Sequence, residues 1–156
     1  MFKVSVDVKN DKKLLLALSN FRGHMENLKP VWDDVQAEFY KIETQLFDTQ
    51  GASGASGKWK PLSIPYRKYK IEKYGFAEPI LHRTYALRAT LTQNVQSVSI
   101  VRKKKQEMEI GTSLPRAARQ YKAGRKAIDL DQSDRKRLVA TVGNKLLEIA
   151  RKEGFN

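Results

Sequence analysis

Leu28-Lys29-Pro30-Val31-Trp32-Asp33-Asp34-Val35-Gln36-Ala37-Glu38-Phe39-Tyr40-Lys41-Ile42-Glu43-Thr44-Gln45-Leu46 is the most regular stretch of the chain. Leu28, Trp32, Val35, Phe39, Ile42 and Leu46 recur at intervals of 4, 3, 4, 3 and 4, the repeat of a single helix face. Glu26, Asp33, Glu38, Lys41 and Glu43 fall to the other faces on this reading. The pattern predicts a helix over 28–48 of about five turns, with Pro30 tolerated near its start. A stripe of this kind is far more often core than a cofactor box, so this is the main packing helix. A second stripe, Leu138, Val142, Leu146 and Ile149, predicts a helix over 133–153. Asp131 or Ser133 caps it, Arg151 and Lys152 suit its dipole, and Gly154 ends it. Gly143 is assigned on or near its packed side, as a point where another element could approach closely.

Working outward, the period changes from 3.6 to 2. Phe2, Val4, Val6 and Val8 alternate with polar residues, which predicts an N-terminal strand. Asp11 then caps a short helix over Lys12–Asn20 that Gly23 ends. Val98 and Ile100 alternate with serines, and Met108 and Ile110 alternate with Glu107 and Glu109. So short a connection permits only antiparallel pairing, a hairpin over 95–111 with Arg102-Lys103-Lys104-Lys105 at its turn. Shorter helical segments are expected over 66–74, over 85–91 behind a Thr84 cap, and over 116–122 between Pro115 and Gly124. The predicted class is α+β. A small antiparallel sheet of N-terminal strand plus hairpin packs against two long helices, with a long extended loop at 50–65, in one domain over 1–156.

Cysteine is absent, which excludes disulfides, thiolate nucleophiles and thiolate-held zinc. His24 and His82 have no partners at ligand spacing, and no phosphate-cradling glycine loop is present. The reading therefore expects no enzyme, no metal and no cofactor. No apolar run reaches membrane-spanning length, and the first residues lack the order of a signal peptide, so a soluble protein made in the cytoplasm is expected, with no membrane partner. The 30 Lys and Arg against 17 Asp and Glu leave a net charge of +13. Such a field favours an anionic partner without choosing which.

Two sets of residues are candidates for contact. The loop Gly51-Ala52-Ser53-Gly54-Ala55-Ser56-Gly57 has no large side chain to hold it, and Trp59, Pro61, Leu62 and Tyr66 follow it. It reads either as a linker or as an arm that orders on a neighbouring subunit through Trp59 and Leu62, since large aromatics concentrate at interface hot spots. The basic residues Arg67, Lys68 and Lys70, with Arg102, Lys103, Lys104 and Lys105 at the hairpin turn, are candidates to face DNA or an acidic protein. Tyr66, Lys68, Tyr69 and Lys70 also fit a stand-alone nucleic-acid-binding module, in which bases stack on aromatics beside cations.

Taken in order, several segments resemble the phage virion morphogenesis family, the tail-completion and head–tail joining proteins of tailed bacteriophages. Gly57, Trp59, Pro61, Leu62 and Ser63 match one box, followed by Lys70, and Leu81, Thr84, Leu87 and Arg88 match a second. Ile110-Gly111-Thr112, then Ala117, Gln120 and Gly124, then Leu130, Ser133 and Asp134 complete the series. Tyr85 stands where the family tends to carry glycine, so the backbone there need not take a positive φ. Arg116 and Arg119 replace an aromatic and a histidine, and Lys126-Ala127-Ile128 replaces a proline-containing stretch. The resemblance implies a structural virion protein without catalysis, assembled in the host cytoplasm as a ring, expected to be hexameric, at the neck or tail end. Its implied partners are its own copies, other neck and tail proteins, and DNA passing through the lumen.

Overall fold

The computed structural model describes residues 12–82 and 85–155. The N-terminal strand over 2–8 and the Asp11 and Thr84 caps lie outside them. Among the described residues the chain is α+β. Helix α1 (Lys12–Glu26) is followed by a 3-10 turn (Lys29–Val31), α2 (Trp32–Asp48), α3 (Ile64–Tyr74) and α4 (Ala86–Thr92). Strands β1 (Ser99–Lys103) and β2 (Met108–Thr112), then α5 (Pro115–Lys122) and α6 (Gln132–Lys152), complete it.

Helix α2 is the central element. Trp32, Phe39, Ile42 and Leu46 are buried along it, as the periodicity predicts; Leu28 and Val35 of the same stripe are half-buried, Phe47 outside it is buried, and Pro30 lies in the preceding turn. Helix α6 packs antiparallel to it, with Arg137 paired to Glu38 at 2.7 Å and Lys145 to Asp34 at 3.3 Å. The α6 start is a reciprocal cap: Asp131 accepts from the Asp134 amide at 2.7 Å, and Asp134 accepts from the Asp131 amide at 3.2 Å. Helix α1 runs through Gly23 to Glu26 instead of stopping there. It lies against the end of α6, with Asn20 bonded to Glu153 and Phe21 against Phe155 at 5.9 Å. Gly143 faces outward, where a Cβ would meet nothing within 4 Å. The predicted packed side of α6 is therefore corrected at that position.

The hairpin forms in the expected place, with Val101 opposite Ile110 and Arg102 opposite Glu109. Its turn is shorter than the basic run, because Arg102 and Lys103 belong to β1. The tip returns to the start of α2: the Trp32 indole donates to the Lys104 carbonyl at 2.7 Å, and the Leu28 amide donates to the Lys105 carbonyl at 2.7 Å. The strands lean on α4, and α4 leans on α2.

Between these layers lies the main core of Leu46, Phe47, Trp59, Ile80, Leu87, Leu91 and Ala127. Two observations there go beyond the sequence reading. Tyr85 caps α4 in the left-handed region at φ 55, so the backbone keeps a glycine-like conformation with a tyrosine in it. Its ring lies 4.9 Å from His82, which in turn stacks on Phe47 at 6.0 Å. Glu43, assigned to a polar face, is fully buried. It sits one turn from Phe39 and one residue from Ile42, within the apolar arc.

Candidate interaction surface

The 50–65 segment is folded onto its own body. Gly51 donates to Leu46, Ala52 to Thr49, Gly54 to Gly51 and Gly57 to Gly54, and the Trp59 amide donates to Gln50 at 2.9 Å, closing the loop on itself. Asp129 pins the far side, accepting from the Ser56 amide at 2.6 Å and its hydroxyl at 3.1 Å, while its carbonyl accepts from Ala55. Trp59 is only 4% exposed. Its indole N–H donates to the Lys126 carbonyl at 2.8 Å, and its ring meets Phe47 edge-on at 5.3 Å. Gly51 at φ 88 is required for this: a Cβ there would stand 2.4 Å from the indole.

Trp59 is therefore a core residue and no anchor for a neighbouring copy. The expectation of an unattached arm is corrected with it. A strip of small residues offers no large side chains to hold it, but its backbone amides and the Ser56 hydroxyl find acceptors within the loop and on Asp129. Asp129 lies more than 70 positions away in the chain and carries no local signal.

Lys70 is corrected for the opposite reason. It was a candidate for contact with DNA or acidic protein, yet none of it is exposed. Its ammonium donates to the carbonyls of Ala77 and Pro79 at 2.7 and 2.8 Å and lies 5.0 Å from the Phe76 ring. Burial pulls its pKa below the ordinary lysine value, and Glu78 opposes that shift. The cation closes the turn after α3, which Gly75 ends at φ 77. At the hairpin, Lys103 pairs with Asp33, Lys104 with Glu107, and Arg102 with Glu109 at 2.9 Å, so much of that charge is spent within the molecule. Arg67 and Lys68 are exposed on α3.

The remaining candidates, Leu62 and Tyr66, meet at a cleft of about 690 Å³. Leu62, Ile80, Leu81, Leu87 and Leu114 give it an aliphatic lining, and Arg116, Arg119 and Arg125 give it a cationic side. No carboxylate is among the described residues that line it. Pro61 stands beside it and is held by Arg125. That guanidinium donates to the Lys60 and Pro61 carbonyls at 2.7 Å each and to the Gln120 side chain at 3.2 Å. Arg125 thus bolts the segment after the loop to the loop after α5. Sequence reading missed Arg125 and Asp129 because each acts on backbone atoms more than 60 residues away.

Residues that carry the resemblance come from separate segments yet gather here. Leu62, Ser63, Leu81, Leu87 and Gln120 line the cleft, while Trp59 shares the main core with Leu87, and Ala117 packs against that core. Among the described residues no three His, Asp or Glu side chains are placed to hold a metal ion, and no helix is long and apolar enough to cross a membrane. Comparison of the chain with protein-family models, curated proteins and solved structures gives no match.

Proposed function

We propose that this chain is a structural adaptor of a tailed-phage virion, assembling as a ring at the neck or tail end and joining the tail to the head. The observation that carries the reading is that Leu62, Ser63, Leu81, Leu87 and Gln120, from separate segments that carry the resemblance, line one cleft, its lining aliphatic and its side cationic. A lining of this composition supplies affinity and orientation; chemistry would need a converging acid, base or nucleophile.

With Trp59 buried, self-association falls to a different surface. On α6, Val139 is 72% exposed and Leu147 is 56% exposed, with Gly143 open between them at helical spacing. This stripe is the proposed contribution of each copy, meeting a different face of the next copy, as closed rings require. Copies that each carry +13 repel one another, so salt should favour the ring. The test is molar mass by light scattering across a salt series. A multiple of the 17.9 kDa protomer is expected for the native chain. Val139→Asp with Leu147→Asp should yield a folded monomer, and a native protein that stays monomeric at every salt and concentration would overturn the assembly reading.

A second reading, a monomeric nucleic-acid-binding module, is favoured by one observation. Tyr66 and Tyr69 are 39% and 41% exposed with ring centroids 5.9 Å apart, beside exposed Arg67 and Lys68. It predicts tight binding of single-stranded DNA that weakens steeply as salt rises.

A further inference from the structure

A buried acid on α2 lies beside the residue that holds the 51–57 loop. The Glu43 carboxyl is 0% exposed and has no hydrogen-bond partner among the described residues. The charges that act on it come from outside α2: Asp134 in the first turn of α6, and Asp129 in the loop before that helix. Asp134 closes the α6 cap with Asp131 and has Arg137 at 3.7 Å, while Arg137 also holds Glu38. Asp129 has Lys126 at 3.8 Å and grips the loop through the Ser56 amide, the Ser56 hydroxyl and the Ala55 amide. On the α4 side Arg88 is paired to Asp48, and the loop adds only Lys58, which is exposed. No cation among the described residues pairs with Glu43.

The loop is a single layer of chain with fixed ends. Ala52, Ala55 and Ser56 are exposed, and Gly51 at φ 88 and Gly57 at φ 73 turn the backbone at its two ends. The Gly51 amide is held by the Leu46 carbonyl at 2.8 Å, and Trp59 is buried beyond the other end. Between them Gly54 approaches so closely that a Cβ would lie 2.8 Å from both the Asp129 carboxylate and the Leu46 side chain. Leu46 follows Glu43 by three residues, so the loop covers the apolar arc in which that acid is buried.

We propose that residues 52–58 form a latch that opens when Glu43 loses its proton. A carboxylate formed there faces Asp129 and Asp134 with no cation of its own. Lifting the loop off Asp129 admits water, which stabilises the ionised form. The closed latch therefore keeps the proton and the open latch releases it, so acid holds it shut and rising pH opens it. Burial raises the Glu43 pKa from 4.5 to about 9, which places neutral pH inside the responsive range. The latch is independent of ring assembly and of what fills the cleft.

Hydrogen–deuterium exchange of the intact chain at pH 5, 6, 7 and 8, corrected for the intrinsic chemical rate, reads the opening at the Ala55, Ser56 and Gly57 amides. The opening constant should rise by up to about tenfold per pH unit, while amides of the hairpin and of the second half of α6 change less. Glu43→Gln keeps the side-chain shape without the titration and should flatten the loop response. The Glu43 carboxyl carbon, followed by NMR, should titrate well above 4.5. Loop opening that does not change with pH, or that changes equally in Glu43→Gln, would overturn the proposal. So would a carboxyl that titrates at 4.5. Loop and hairpin amides rising together would overturn it as well, because global unfolding alone would then be sensing the proton.

Discussion

Glu43 is the most consequential misfit in the molecule. It is 0% exposed between α2 and the start of α6, and neither carboxyl oxygen has a hydrogen-bond partner among the described residues. Burial first, then the charges of Asp134 and Asp129, push its pKa from the ordinary 4.5 up to about 9. The folded state therefore holds a proton at neutral pH that the unfolded chain has released. Stability from the neutral form is fully present below pH 4.5 and is lost progressively as pH rises from there towards 9. Each unit of pH across that window removes up to about 1.4 kcal/mol, hence up to about 3 kcal/mol by pH 7, a large share of a domain's total. Glu43→Gln removes the titration and Glu43→Met removes the buried polar atoms as well. Both should raise stability at pH 7, by up to about 3 kcal/mol, or several degrees in Tm for a chain of this size. Urea unfolding followed by circular dichroism at pH 5, 6, 7, 8 and 9 measures this directly. The native protein should lose stability along the series relative to both variants. Parallel curves for all three proteins would refute the reasoning, since the carboxyl would then already be ionised or solvated in the fold.

The other predictions concern the residues whose roles the structure reassigns. Trp59→Ala removes a buried indole from the main core and should cost about 3–5 kcal/mol in urea unfolding, where an interface-only tryptophan would leave monomer stability intact. Lys70→Met keeps the aliphatic stem but strips two half-buried carbonyls of their donor; about 1–2 kcal/mol should be lost, with no change in any DNA affinity. At Tyr85, glycine should be tolerated in thermal melts while valine costs about 1–2 kcal/mol, because a β-branched side chain fits the left-handed region worst.

Much of the element order was legible in the chain. The 3.6-residue stripe of Leu28 to Leu46 placed α2, a cap at Asp131 or Ser133 marked the start of α6, and the alternation around Ile100 and Ile110 placed the hairpin. These signals are local: helix and strand periods are consequences of backbone geometry, and a cap acts within four residues. The cleft was legible only in part, through Leu62 and Tyr66. What the local pattern could not decide was which groups meet across the fold. The indole of Trp59, the ammonium of Lys70 and the carboxyl of Glu43 look outward-facing or available when judged by type and neighbours. Their fate was settled by acceptors and apolar walls that tertiary packing brought from other segments: the Lys126 carbonyl, the Ala77–Pro79 turn, and the α2–α6 contact. Burial depends on what lies opposite a side chain, and that is fixed only once the layers close.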